Sequence, residues 1–181
     1  MSRITALDPS IATGKARELL NAVKGKLGIV PNMTRVMAAS PAVLESYLGF
    51  SAALSEGLLD AKTREQLALL TAQENSCDYC LSAHTAIGKM VGLNYEEILA
   101  SRKGSGSNPK TTAALTFAKQ ILDAKGQVSE DNLSAIRNAG FSDGEIAEII
   151  AHVALNVFTN YFNVATDVDI DFPKVSHAVI A

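Results

Sequence analysis

Helix start and stop signals recur along this chain, and no alternating apolar-polar run of convincing length competes with them. Ser40-Pro41 and Asn108-Pro109 each offer an N-capping side chain followed by proline, whose missing N–H costs nothing in a first helical turn. Asp60 is placed to cap a helix running from about residue 61 to 75. Asn94 with Glu97, and Ser142 with Glu145, have the spacing of reciprocal capping boxes, and the second opens a long helix to about residue 165. Gly57, Gly92 and Gly126 stand where helices would stop. The pattern predicts an all-α fold of antiparallel helices. Lys103-Gly104-Ser105-Gly106-Ser107 reads as a flexible connector within it, and the tail 167–181, with Pro173, as extended packing or an arm.

At 181 residues and 48% hydrophobic content the chain can bury one sizeable core, so residues 1–181 are expected to form a single domain undivided by the connector. A shift of 83 residues places Asp60 on Asp143, Glu65 on Glu148 and Ser76-Cys77-Asp78-Tyr79-Cys80 on Thr159-Asn160-Tyr161-Phe162-Asn163. That weak match suggests two degenerate helical hairpins, with 143–166 as a thiol-free repeat. A net charge of −3 and a pI near 5.6, without a cluster of Lys or Arg, disfavour nucleic acid and anionic lipid as partners. Residues 1–10 lack the apolar stretch of a secretory signal. The longest apolar region, Ile146 to Phe158, is interrupted by Glu148, His152 and Asn156, so no membrane partner and a cytoplasmic location are expected.

The chemistry concentrates in 60–92. The two cysteines of the chain fall in Cys77-Asp78-Tyr79-Cys80, followed by Leu81-Ser82-Ala83-His84. With no second pair to complete a structural metal site, and in a reducing compartment, such a pair reads as redox chemistry. At ~100° per residue, Cys77, Cys80, Ala83, His84, Ile87 and Val91 lie within about 60° of Cys80 on one helical face. Cys77 is expected in the first turn, where free N–H groups and the helix dipole favour a thiolate. Cys80 and His84 have the i, i+4 spacing of direct contact. His84 is therefore expected to deprotonate Cys80, with Cys77 as the disulfide partner. Glu65 shares a strip of the preceding helix with Ala61, Ala68, Leu69 and Ala72, an odd place for a carboxylate without a polar partner. Burial is expected to raise its pKa and let it take a proton near neutrality, completing a relay from Cys80 through His84 to Glu65, directly or through water.

Eleven residues between Glu65 and Cys77, and three between Cys80 and His84, reproduce a known signature. On these residues the chain resembles the alkylhydroperoxidase-D-like proteins of the carboxymuconolactone decarboxylase superfamily. Val30-Pro31-Asn32, Asn160-Tyr161-Phe162-Asn163 and Asp171-Phe172-Pro173 look like its peroxidase-related branch. Tyr79 stands where the best-known members carry a second histidine. The resemblance implies an all-helical antioxidant enzyme, a thiol-dependent peroxide reductase, whose Cys80 becomes a sulfenic acid on meeting a hydroperoxide and whose Cys77 then closes the disulfide. It also implies assembly as a homo-oligomer, a trimer or hexamer. Only 19% charged residues, against the roughly 25% usual in globular domains, agrees with apolar faces left for subunit contacts. No cofactor is expected, because the chain carries no Gly-rich dinucleotide signature and no haem or flavin motif. Electrons should come from an external dithiol reductant, a thioredoxin-like or lipoyl protein.

Other readings of the same residues stand beside this one. Cys77, Cys80, His84 and Glu65 could supply zinc ligands in a redox- or zinc-responsive binding module, although a helix needs no such clamp. A decarboxylase acting on a lactone acid would fit the superfamily name but has no use for paired thiols. His152 is expected to be a hydrogen-bonded core histidine and His177 a solvated one. Tyr79, Tyr161 and Phe162 are expected to pack or wall a pocket, and Asn160 and Asn163 to cap or cross-link helices.

Overall fold

In the computed structural model, which describes residues 2–179, the described residues form nine α-helices and no β-strand. They are α1 (Gly14–Leu27), α2 (Asn32–Met37), α3 (Pro41–Ser55), α4 (Ala61–Glu74), α5 (Asp78–Met90), α6 (Tyr95–Arg102), α7 (Pro109–Asp123), α8 (Glu130–Asn138) and α9 (Asp143–Thr166). The all-α expectation holds, and so do the capping signals. Asp60 accepts the Thr63 N–H at 2.9 Å, Asn108 accepts from Thr111, and both capping boxes are closed reciprocally. Ser40 precedes α3 without a side-chain cap, leaving Pro41 as the start signal there. Replacing Asp60 by Ala should cost about 1 kcal/mol, the usual value of an N-cap, read as a lower urea midpoint at unchanged slope.

Helix α4 organises the interior. Every residue from 66 to 72 is buried, because the helix packs on both sides. Leu69 and Ala72 join one core with Leu20, Met37, Leu44 and Leu81, while Leu67 and Leu70 join another with Leu115, Phe117, Ile136 and Ile149. A central helix cannot present a polar face to water, which is why α4 carries so little amphipathic pattern.

The turn from α4 to α5 is tight. Ser76 takes a left-handed φ of 53°, and the Cys77 N–H returns to the Ala72 carbonyl at 2.9 Å. This folds α5 back along α4 and sets Glu65 opposite His84. The segment that aligns with this hairpin, 143–166, is instead the single uninterrupted helix α9. There Glu148, the counterpart of Glu65, spends its carboxylate on the backbone N–H groups of Leu58 and Leu59, at 2.7 to 3.0 Å. A Cβ on Gly57 would sit 2.5 Å from that carboxylate, so a larger residue there would have to displace the Glu148 side chain from its present position.

Beyond α9 the tail runs over the start of α5 as extended packing. Asp171 accepts the Asn32 N–H, Val175 N–H donates to the Ser82 hydroxyl at 2.9 Å, and Arg102 donates to the carbonyls of Ser176 and Val179. His177, expected to be solvated, is instead half-exposed and paired. Its backbone N–H and ring Nδ1 both meet the Asp78 carboxylate at 2.7 Å. The two residues between the cysteines are thus both tied to the tail, since the Tyr79 hydroxyl accepts the Met33 N–H at 3.2 Å, lies beside Asp171, and its ring meets Phe172 edge-on.

Candidate active site

The site forms where α5 starts. Cys77 is the N-cap of α5 and not a residue of its first turn, and its sulfur accepts the Cys80 N–H at 3.3 Å. The expectation that the helix terminus would favour a Cys77 thiolate is therefore reversed. The Cys77 thiol donates to the Cys80 sulfur, and this bond together with burial pushes Cys77 up, holding it protonated. Both thiols are free and buried, Cys77 at 1% and Cys80 at 3% exposure.

Cys80 behaves in the opposite way. Burial by itself would push its thiol up, but four groups outweigh that: the hydrogen bond from Cys77, the charge of His84, and the amides of Asn163 and Asn160. The result is a thiol lowered to about 7, which favours the thiolate relative to a free cysteine. Asn163 on α9 donates from Nδ2 to the Cys80 sulfur at 3.2 Å and to the Met33 sulfur at the same distance.

His84 and Glu65 meet as their spacing predicts. Nδ1 of His84 lies 2.8 Å from Oε2 of Glu65, with side-chain exposures of 21% and 16%. Burial opposes a charged imidazole, and the carboxylate of Glu65 overcomes it, so the His84 pKa is raised. With Nδ1 occupied by the carboxylate, Nε2 is the nitrogen left for proton exchange. His84 acts on Cys80 through its charge; among the described residues no hydrogen bond joins the two.

Two neighbours escaped sequence reasoning. Tyr47 of α3 is pushed up to about 12 by burial and by the negative charges of Cys80 and Glu65, so its phenol stays protonated beside them. Nothing local distinguishes it from the other aromatic residue of α3, Phe50. Met33 was unremarkable as well. Asn160 and Asn163 do cross-link helices: Asn160 accepts from Asn75 at 3.0 Å, and Asn163 reaches α2 and α5. His152 is buried, but its Nε2 has no hydrogen-bond partner among the described residues, and burial and the nearby Arg64 charge lower its pKa. Tyr161 is exposed at 60%, no wall of anything, while Phe162 packs against the core. Among the described residues no three His, Cys, Asp or Glu side chains gather as a metal site, and no helix is long and apolar enough to cross a membrane.

The described helices bury a Cys-x-x-Cys pair beside a Glu–His couple, and known proteins share the fold. The carboxymuconolactone decarboxylase family matches residues 41–122, which run from α3 into α7 and contain the whole site except the α9 amides and Met33. That match spans 82 of the chain's 181 residues, and over it the chain is similar to the family. Its fold is that of an uncharacterized peroxidase-related protein from Ralstonia eutropha with an alkylhydroperoxidase AhpD core. The TM-score is 0.85 at 24% identity, over 94% of this chain and 92% of that one. A peroxidase-related protein from Silicibacter sp. gives 0.78 at 23% identity, covering 98% and 96%. The debrominase Bmp8, in complex with 2,3,4-tribromopyrrole, gives 0.76 at 20% identity, covering 93% and 91%. An uncharacterized protein of Haemophilus influenzae is 49% identical over 45 residues, which are 24% of this chain and 40% of that protein's length.

Proposed function

We propose that the protein is a thiol-dependent peroxide reductase. The observation that carries this reading is the buried Cys80 sulfur, which receives a hydrogen bond from a second thiol while an imidazole paired to a carboxylate faces it. A sulfur so placed is an ionised nucleophile at neutral pH with its resolving thiol already in contact.

The Cys80 thiolate attacks the terminal oxygen of a hydroperoxide and breaks the O–O bond. The alkoxide leaves as alcohol with a proton from His84, and Cys80 becomes a sulfenic acid. The Cys77 sulfur then attacks the Cys80 sulfur, expels water and forms the Cys77–Cys80 disulfide. An external dithiol returns two electrons and two protons. Glu65 holds the His84 ring and stabilises its charged form before the proton is given up. Because both thiols are buried while His84 and Glu65 are partly exposed, the peroxide arrives from the His84 side. The reductant is of the thioredoxin or lipoyl class, and the working location is the cytoplasm. Subunits associate through apolar surface such as Ile150, Phe158, Tyr161 and Val164 on the outer side of α9. A light-scattering mass of one chain at micromolar concentration would count against that association.

The test is peroxide consumption by the reduced protein, with zinc measured in the same sample. Loss of two hydrogens per chain, with Cys77 and Cys80 linked in one peptide, is the expected product. Zinc bound in equal amount, without peroxide consumption, would favour the binding module instead. The rate of the first oxidation should rise with pH through about 7, because ionisation of Cys80 supplies the nucleophile, and fall below it. A rate flat from pH 5.5 to 8.5 would contradict the assignment.

A further inference from the structure

The polar side of α9 faces the reactive sulfur with two amides, and each amide is turned by a neighbour that leaves it little choice. Met33 presents a thioether, which accepts hydrogen bonds and cannot donate them. Only the NH2 group of Asn163 can meet it, at 3.2 Å, and the second hydrogen of that NH2 is directed to Cys80, also at 3.2 Å. Asn160, one turn earlier, accepts on its Oδ1 from the side-chain Nδ2 of Asn75 at 3.0 Å, which turns its own NH2 away from Asn75. That Nδ2 is fully buried and has no hydrogen-bond partner among the described residues. A buried donor without an acceptor is costly, and a negative sulfur nearby relieves the cost.

We propose that Asn160 and Asn163 form an anion cradle for the Cys80 thiolate, with Met33 and Asn75 as the residues that orient the two amides. The cradle does for sulfur what paired N–H donors do for a developing oxyanion, with fixed dipoles aimed at the charge before it forms. It adds to the hydrogen bond from Cys77 and the charge of His84 in offsetting the desolvation of a thiol at 3% exposure. It also gives a reason for two amides, Asn160 and Asn163, on the buried side of a helix whose outer side is apolar. Asn163 touches the reacting atom and is a catalytic residue in this sense; Met33 and Asn75 act through the amides and are positioning residues. The groups facing Cys80 are Cys77 at the N-cap of α5, Tyr79 and His84 on α5, Tyr47 on α3, and the two amides on α9. The proposal rests on Cys80 being the reactive thiol.

The experiment measures the pH dependence of Cys80 alkylation by iodoacetamide in a Cys77→Ser background, where Cys80 is the single thiol and a hydroxyl still donates to it. Asn163→Leu keeps the approximate shape and removes the donor, and Met33→Leu removes the acceptor that turns the amide without touching the sulfur. The midpoint should rise by about one unit or more in Asn163→Leu, a roughly tenfold slower reaction at neutral pH, with rates converging near pH 10. Met33→Leu should move it the same way by less, and Asn163→Asp further, because a carboxylate then faces the sulfur. A folded Asn163→Leu protein with the background midpoint overturns the proposal. If that variant does not fold, an unmoved midpoint in folded Met33→Leu and Asn160→Ala proteins overturns it equally. The titration uses no peroxide, so a protein that fails to consume peroxide yet shows these shifts refutes the peroxidase reading and leaves the cradle standing.

Discussion

Replacing Cys80 by serine should reduce peroxide consumption by more than about a thousandfold, because the hydroxyl is a poor nucleophile with no base able to ionise it. Replacing Cys77 should act differently. In Cys77→Ser the first oxidation of Cys80 survives and one equivalent of peroxide is consumed, after which turnover stops with a sulfenic acid trapped on Cys80. The asymmetry follows from the site: the Cys80 thiol is lowered to about 7, while burial and the bond it donates keep Cys77 protonated. Rapid-mixing consumption of one equivalent, with dimedone labelling located by mass spectrometry, reads both outcomes. A burst in Cys80→Ser with the label on Cys77, and none in Cys77→Ser, would reverse the roles.

The next largest effect is expected at Glu65. Gln in its place keeps the size and can still accept from Nδ1 of His84, but it removes the charge that holds the imidazole protonated against burial. Peroxide reduction at neutral pH should fall by roughly 10²-fold, the scale of a general acid–base contribution. The sign of the pH dependence follows from the same coupling. With His84 less often charged, Cys80 loses one of the groups that lower its thiol, so its midpoint moves above about 7. The deficit should therefore be largest below neutrality and shrink at high pH, where hydroxide ionises the thiol without help. Circular dichroism should show the variant folded, since the 2.8 Å pair is one partly exposed contact. Unchanged turnover across pH 6 to 8 in the folded variant would remove Glu65 from the mechanism.

The zinc reading and the dithiol reading use the same side chains and differ in geometry. Glu65 binds Nδ1 of His84, and the two thiols bind each other. Each potential ligand already has a hydrogen-bonding task within the protein. Turning these side chains toward a common ion would break the His84–Glu65 bond and the bond between the thiols. A chelator that left peroxide consumption unaltered would agree with the present reading.

The starts of α3, α4, α6, α7 and α9 and the approach of Glu65 to His84 were legible because they depend on near neighbours in the chain; the starts of α1, α2 and α8 were not read. A cap is decided by a side chain and the N–H three residues on, as Asp60 and Ser142 show. Two helices joined by so short a turn can only fold back on each other, which brings Glu65 to His84 across 19 residues. The same locality misled the reading of Cys77. Helical spacing placed it within the first turn, but the left-handed Ser76 sets it one position outside, as an acceptor for the Cys80 N–H.

What lay beyond the sequence was set by packing between distant segments. Asn163 meets Cys80 from 83 residues away and Met33 from 130, and no periodicity along α9 tells which buried face will find a sulfur. His177 reads as a solvated tail residue until the tail crosses α5 and finds Asp78 99 residues earlier. Tyr79 likewise acquires its role only when the Met33 N–H and Asp171 close around its hydroxyl. The sequence by itself determined the all-α class, the starts of α3, α4, α6, α7 and α9, and that Glu65 and His84 would meet, because capping and helical spacing act over a few residues. Only the tertiary structure decided that Cys77 stays protonated as a donor and that Asn160 and Asn163 reach the Cys80 sulfur, because a buried charge is set by the sum of all groups brought near it, and two of these arrive from α9.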